Sequence, residues 1–172
     1  IGASPGWIRK GQTNTIHISL TESSKDFTLS DISSIGGTLS NWNPVSSKNY
    51  KATFTPQANR TSNSEVYVAN FSFSDKAGNF NNNGTKSVII RTDTVLPEIA
   101  LTANKLSLGA GDQAIIEFEL SKSTSDFNVN DLTVAGGSIS NFTGSGKSYT
   151  AVFTPDSNST TNGFVAVANS KF

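Results

Sequence analysis

Carboxylates and side-chain amides carry most of the potential chemistry in this sequence. It has one histidine, His17, and no cysteine. A histidine base needs a positioned nucleophile and an orienting acid. His17 instead alternates with Ile16, Ile18 and Leu20, the outward phase of a strand, so a surface role is expected and catalysis is not. Asp31 and Asp131 each precede an apolar residue at a strand start and read as turn caps rather than a catalytic pair. The stretch Ser74-Asp-Lys-Ala-Gly-Asn79 groups an acid, a glycine and an amide, yet its spacing is not that of the Asp-x-Asp/Asn-x-Asp/Asn-Gly calcium loop. Hard oxygen donors from separated loops do suit Ca²⁺, which takes about six to eight of them with tolerant geometry. Two readings therefore stand. Asp75 and Asn79 are one wall of a calcium site, or they only shape a turn with Gly78 in the left-handed conformation.

Which loops share such a site depends on the fold, and an internal repeat defines it. D-F-T-L-S-D-I-S-S-I-G-G-T-L-S-N-W (26–42) returns as D-F-N-V-N-D-L-T-V-A-G-G-S-I-S-N-F (126–142), an offset of 100. Y-K-A-T-F-T-P-Q-A-N (50–59) returns as Y-T-A-V-F-T-P-D-S-N (149–158), and V-Y-V-A-N (66–70) as V-A-V-A-N (165–169), both offset by 99. The chain is two copies of one domain, 1–93 and 94–172, with the boundary near Thr94 and Pro97 starting a new edge strand. The second copy stops at Phe172, the partner of Phe73, before any equivalent of Ser74–Asn79. It is expected to lack its last strand and to leave a sheet edge open.

Each copy reads as short strands of period two. Ile16, Ile18 and Leu20 point inward, as do Ile116, Phe118 and Leu120, while Glu117 takes the place of His17. Tyr50, Ala52 and Phe54 form a second inward set, matched by Tyr149, Ala151 and Phe153. In the next strand the inward phase passes from Val66 and Val68 to Phe71 and Phe73, which calls for a β-bulge near Ala69. Trp42 and Phe142 share one repeat position and read as packing anchors. Trp7, with Ser107 as its counterpart, is a candidate sugar-stacking platform. Gly36-Gly37 and Gly136-Gly137 mark turns or bulges that need positive φ. The pattern implies an all-β protein of two tandem immunoglobulin-like β-sandwiches without the disulfide.

Tracing strands up and down a sandwich puts the Glu22–Asp26 loop and the Ser74–Asn79 loop at one pole. Glu22, Asp26, Asp75 and the Asn79 amide would then converge, and a linker acid such as Asp93 would complete the set.

Bulk composition removes several functions. With 13 basic and 13 acidic residues the net charge is zero, which offers no long-range attraction to nucleic acid or an anionic membrane. No apolar run approaches the ~20 residues of a membrane span, and the sequence shows no signal-peptide pattern. With no methionine it is expected to be a fragment or processed product from which targeting signals have been cut away. A surface rich in Ser, Thr, Asn and Gly suits an extracellular protein.

The motifs F-x-x-x-D-I/L, G-G-S/T-x-S-N-W/F, Y-x-A-x-F-T-P and F-S-D-K-A-G-N, followed by D-T-V-L-P, resemble the bacterial Ig-like repeats of giant type I-secreted, RTX and biofilm-associated surface adhesins. The resemblance implies a non-enzymatic extender, secreted to the cell surface, whose immediate partners are neighbouring repeats. A host-cell or biofilm-matrix ligand is a further partner it implies. In such adhesins calcium at poles and junctions stiffens the rod, and this carries over to Glu22, Asp26, Asp75, Asn79, Asp93 and Asp126. Lys122 replaces Glu22 in copy two, so weaker binding is expected at a junction drawing on Asp93, Asp126 and Glu98. Similar modules also occur in phage fibres, and a glycan- or protein-recognition module is a further alternative.

Overall fold

The computed structural model describes residues 1–4, 6–169 and 171. Phe172, the sequence partner of Phe73, lies outside the described residues. The chain divides into two units, Ile1–Leu96 and Pro97–Phe172. The first unit runs past the limit read from the repeat because Thr94 is bound into it. Thr94 is 2% exposed, and its hydroxyl accepts from Arg60 N at 2.9 Å and donates to Gln57 O at 2.8 Å.

The first unit contains β1 (Gly2–Ser4), β2 (Trp7–Arg9), β3 (Asn14–Ser19), β4 (Ile32–Ile35), β5 (Gly37–Pro44), β6 (Asn49–Pro56), β7 (Ser64–Val68) and β8 (Lys86–Asp93). One sheet has the order β1-β3-β6-β5 and the other β2-β8-β7-β4. All pairs are antiparallel except β2 with β8, which run parallel. The period-two reading holds where it was clearest. Ile16, Ile18, Tyr50, Ala52, Phe54, Val66, Val68 and Ile90 meet in one core between the sheets, with Phe27 at the centre of a group of edge-on aromatic rings.

The second unit contains β9 (Ile99–Ala103), β10 (Ala114–Thr124), β11 (Leu132–Ala135), β12 (Gly137–Pro155) and β13 (Phe164–Val167). They form a three-stranded sheet, β12-β10-β9, and a two-stranded one, β11-β13. Ile116, Phe118, Leu120, Tyr149, Ala151 and Phe153 build its core as their counterparts do. Among the described residues it has no counterpart of β8.

The paired glycines have two different tasks. Gly36 and Gly136 adopt φ of +80° and +69°, where the chain leaves one sheet for the other. At Gly37 the constraint is contact: a Cβ there would lie 2.3 Å from Phe54 Cζ and 2.4 Å from Thr55 O. Gly137 is equally close to Phe153 Cζ and Thr154 O, both at 2.4 Å. Just before β4 and β11, Asp31 and Asp131 cap one-turn 3₁₀ segments. Each carboxylate accepts a backbone N–H, from Thr28 at 2.7 Å and Asn128 at 2.8 Å, the role expected of them.

One core assignment is overturned. Phe71 is 65% exposed with φ +60°, because β7 ends at Val68 rather than continuing through a bulge at Ala69. The side chain of Asn81 imposes this. Its Oδ1 accepts from Ser72 N at 2.8 Å and Phe73 N at 3.0 Å, and its Nδ2 donates to Ala69 O at 2.6 Å. The chain turns outward at Phe71 and re-enters with Phe73 against the core. The bulge lies elsewhere, between β5 and β6, where the register shifts between Ser40 and Asn43 and Asn41 takes φ +50°.

Candidate functional site

The structure joins the Glu22–Asp26 loop to the Ser74–Asn79 segment. Ser24 and Asp75 form an antiparallel bridge, and Lys25 N donates to Ser74 O at 3.3 Å. Asp26 secures the joint. Its Oδ1 accepts from Ser74 N at 2.8 Å and Ser24 Oγ at 3.1 Å, and its Oδ2 accepts from Ser74 Oγ at 2.8 Å. These donors, Ser74 N–H first, hold the Asp26 carboxyl below the ordinary aspartate range.

Ser74–Asn79 is itself a closed turn. Ser74 bridges Phe80, Asp75 N donates to Asn79 O at 3.0 Å and Gly78 N to Asp75 O at 3.2 Å. Gly78 sits at φ +93°. The Asp75 carboxylate accepts from Asn79 N at 2.8 Å and from Asn79 Nδ2 at 2.9 Å. The Asn79 side-chain amide is the larger cause of a lowered Asp75 pKa, and its backbone N–H the second. This is the turn geometry, with Gly78 in the left-handed region.

Glu22, Asp75 and Asn79 line one groove of about 410 Å³, floored by Ile18, Leu20 and Phe73. The aspartates at this pole already serve the protein's own turns. Both oxygens of Asp26 and both of Asp75 already accept hydrogen bonds of 3.1 Å or less. Asn79 turns its NH₂ toward Asp75, and the Lys25 ammonium lies 4.0 Å from where a Gly78 side chain would begin. Among the described residues no three acids, histidines or cysteines are grouped to hold a metal.

The other expected ligands make local hydrogen bonds within their own units. Asp93 ends β8, and its Oδ1 accepts from Val95 N at 3.2 Å. Asp126 accepts from Thr124 Oγ1. Glu98 pairs with Ser121 through its backbone, in bonds of 2.8 Å in both directions. Lys122 lies within β10, which runs to Thr124, where the first unit has already entered its loop after Ser19.

His17 is exposed on β3 opposite Lys51. Trp42 stacks on Tyr50 at 5.1 Å, and Phe142 on Tyr149 at 5.7 Å, so both are packing anchors. Trp7 is 58% exposed, with the Arg91 guanidinium 5.5 Å from its ring centre. The decisive residues that sequence reasoning passed over are Ser24, Ser74 and Asn81. Their only signal was being short hydrogen-bonding side chains inside turns.

No helix among the described residues is long and apolar enough to cross a membrane. A search among curated proteins finds no match to the chain. The family model for the bacterial Ig-like domain matches twice in tandem, over residues 3–92 and 93–172. Domains of this kind are generally non-enzymatic structural modules and often occur in surface proteins. Two sandwiches with shared glycine turns, 3₁₀ caps and aromatic cores agree with that match, and the chain belongs to the bacterial Ig-like domain family.

Proposed function

We propose that this chain is a non-enzymatic spacer segment of a bacterial surface adhesin, carrying a distal adhesive part away from the cell. The observation that supports this is the same sandwich built twice in direct succession. Its stiffness within a module comes from packing and from the Asp26–Ser74 and Asp75–Asn79 hydrogen bonds. Small-angle scattering of the two-module chain, with and without chelator, tests the reading. An elongated particle of unchanged length under chelator is expected, and a compact particle would overturn the spacer role.

A second reading has one observation in its favour. The outer face of the β2-β8-β7-β4 sheet exposes Trp7, Ile89 and Ile35 at 58%, 54% and 51% beside Arg91. Aromatic and arginine side chains dominate binding hot spots. Glycan-array binding that is lost in Trp7→Ala would make this face a recognition surface.

A further inference from the structure

Two Asn-Gly pairs occur in the sequence, Asn83–Gly84 and Asn162–Gly163. An asparagine amide is most open to attack by the next backbone nitrogen when that residue is glycine, which has no Cβ to shield the nitrogen or restrict its approach. Attack requires the peptide bond between the two residues to swing toward Cγ. Local packing therefore decides whether the folded chain permits it.

The structure separates the two pairs on this count. Asn83 and Gly84 are exposed and lie between Asn81 and the start of β8 at Lys86. Gly84 has φ +75°, and a Cβ there would meet nothing within 4 Å. Among the described residues the Gly84 N–H is tied by no turn, cap or strand bond. The nearby Asn81 differs, because its amide is engaged by Ser72, Phe73 and Ala69.

Asn162–Gly163 is exposed too, yet its main chain is wedged. A Cβ at Gly163 would lie 2.4 Å from Phe153 Cζ, and one at Gly136 would lie 2.8 Å from Gly163 Cα and 3.1 Å from Gly163 N. The next residue, Phe164, pairs with Ala135 as the first of β13. Rotation at Asn162 would drive Gly163 into the phenyl ring or the Gly136 turn.

We propose that Asn83–Gly84 is a self-modification site, where the folded chain converts its own asparagine to aspartate and isoaspartate. The Gly84 nitrogen gives its proton to hydroxide and attacks Asn83 Cγ. The new C–N bond closes a five-membered succinimide, and the side-chain nitrogen leaves as ammonia. Water then opens the ring. Cleavage of the Cγ–N bond gives aspartate, while cleavage at the α-carbonyl gives isoaspartate, whose main chain runs through Cβ and Cγ. The sum is amide plus water to carboxylate plus ammonium, with no oxidant or cofactor.

Either product adds one negative charge to a chain of zero net charge. The charge falls on the groove that Asn83 lines together with Glu22 and Asp75. Isoaspartate also lengthens the main chain by a methylene between Asn81, which fixes the turn at Phe71, and Lys86, which pairs with Val68. Residues 82–85, outside every strand, are where that extra length is absorbed.

The inference is independent of the spacer reading, and its test uses the full chain. The chain is incubated at mildly alkaline pH, once folded and once in urea, and tryptic peptides 77–86 and 148–171 are followed by mass spectrometry with fragmentation that identifies isoaspartate. In urea the two pairs should convert at similar rates, since local sequence alone governs them there. In the folded chain Asn83 should convert at least about tenfold faster than Asn162, a barrier difference of about 1.4 kcal/mol. An Asn83→Gln chain would have to close a six-membered ring, so its acidic isoform on isoelectric focusing should form at least about tenfold more slowly. Equal rates for the two pairs in the folded chain, conversion centred on Asn81 or Asn82, or no conversion of Asn83 without urea would overturn the proposal. An acidic isoform that forms as fast in Asn83→Gln would also overturn it.

Discussion

Phe27→Ala is the most informative perturbation of the first unit. Phe27 is 6% exposed, and its ring meets those of Trp42, Tyr50 and Phe73 at 5.5, 5.0 and 4.8 Å, each near edge-on. A buried Phe→Ala change costs about 3–5 kcal/mol through lost transfer energy and the cavity left behind. Edge-to-face pairs contribute roughly 0.5–1.5 kcal/mol each beyond area, so three of them place the expected loss near the upper end. For a unit spanning Ile1–Leu96, unfolding entropy is about 0.2 kcal/mol/K, so ~5 kcal/mol lowers Tm by about 25 °C. Calorimetry of the two-unit chain should show the first unit's transition shifted and the second's unmoved. Phe71→Ala, at an exposed ring, is the control and should leave both in place. A drop below about 5 °C for Phe27→Ala, or equal shifts in both transitions, would refute the idea that this ring interlocks one unit's core.

Other outcomes follow from the same geometry. Gly37→Ala, forced against Phe54 Cζ and Thr55 O, should cost at least about 1–3 kcal/mol by overpacking, read from urea unfolding of the first unit. Asp26 and Asp75 have folded pKa values below the ordinary 3.8. Each therefore contributes stability that is complete above that value and lost as pH falls through the lower folded value. The first transition should begin to drop below about pH 4, and Ser74→Ala should lessen that acid sensitivity by returning the Asp26 pKa toward normal. Chelator should leave both Tm values unchanged within about 1 °C, whereas a rise of several degrees on adding calcium would show that the folded chain binds the ion.

The legible and illegible parts of this molecule divide on physical grounds. Inward positions such as Ile16, Tyr50 and Phe54 were readable because a strand's side-chain period is two and the repeat states it twice. The glycine pairs were readable as turns, although the need at Gly37 is space around Phe54 rather than positive φ. Phe71 was misread because its strand is ended by Asn81, a residue beyond the window in which periodicity operates. The meeting of the Asp26 and Asp75 loops follows from strand counting. Their hydrogen-bonding state does not, because it depends on whether Ser24, Ser74 and Asn79 point donors at the carboxylates. An acid beside serines reads equally as a ligand or as an acceptor until rotamers are fixed.

The parallel pairing of β2 with β8 bears on how the first unit carries tension. One strand lies near the start of the unit and the other near its end, with Trp7, Ile8 and Arg9 opposite Arg91, Thr92 and Asp93. In a parallel pair the leading end of one strand and the trailing end of the other lie at opposite ends of the ladder. A pull applied through the chain at both sides therefore slides the strands along one another and loads their hydrogen bonds together, in shear. A hairpin pulled at its open end would instead lose them one at a time, as a zip does. The buried Ile8 and Thr92 side chains beneath this pair must also leave the core before the strands separate, so the strands at the ends of the unit are also its brace against extension.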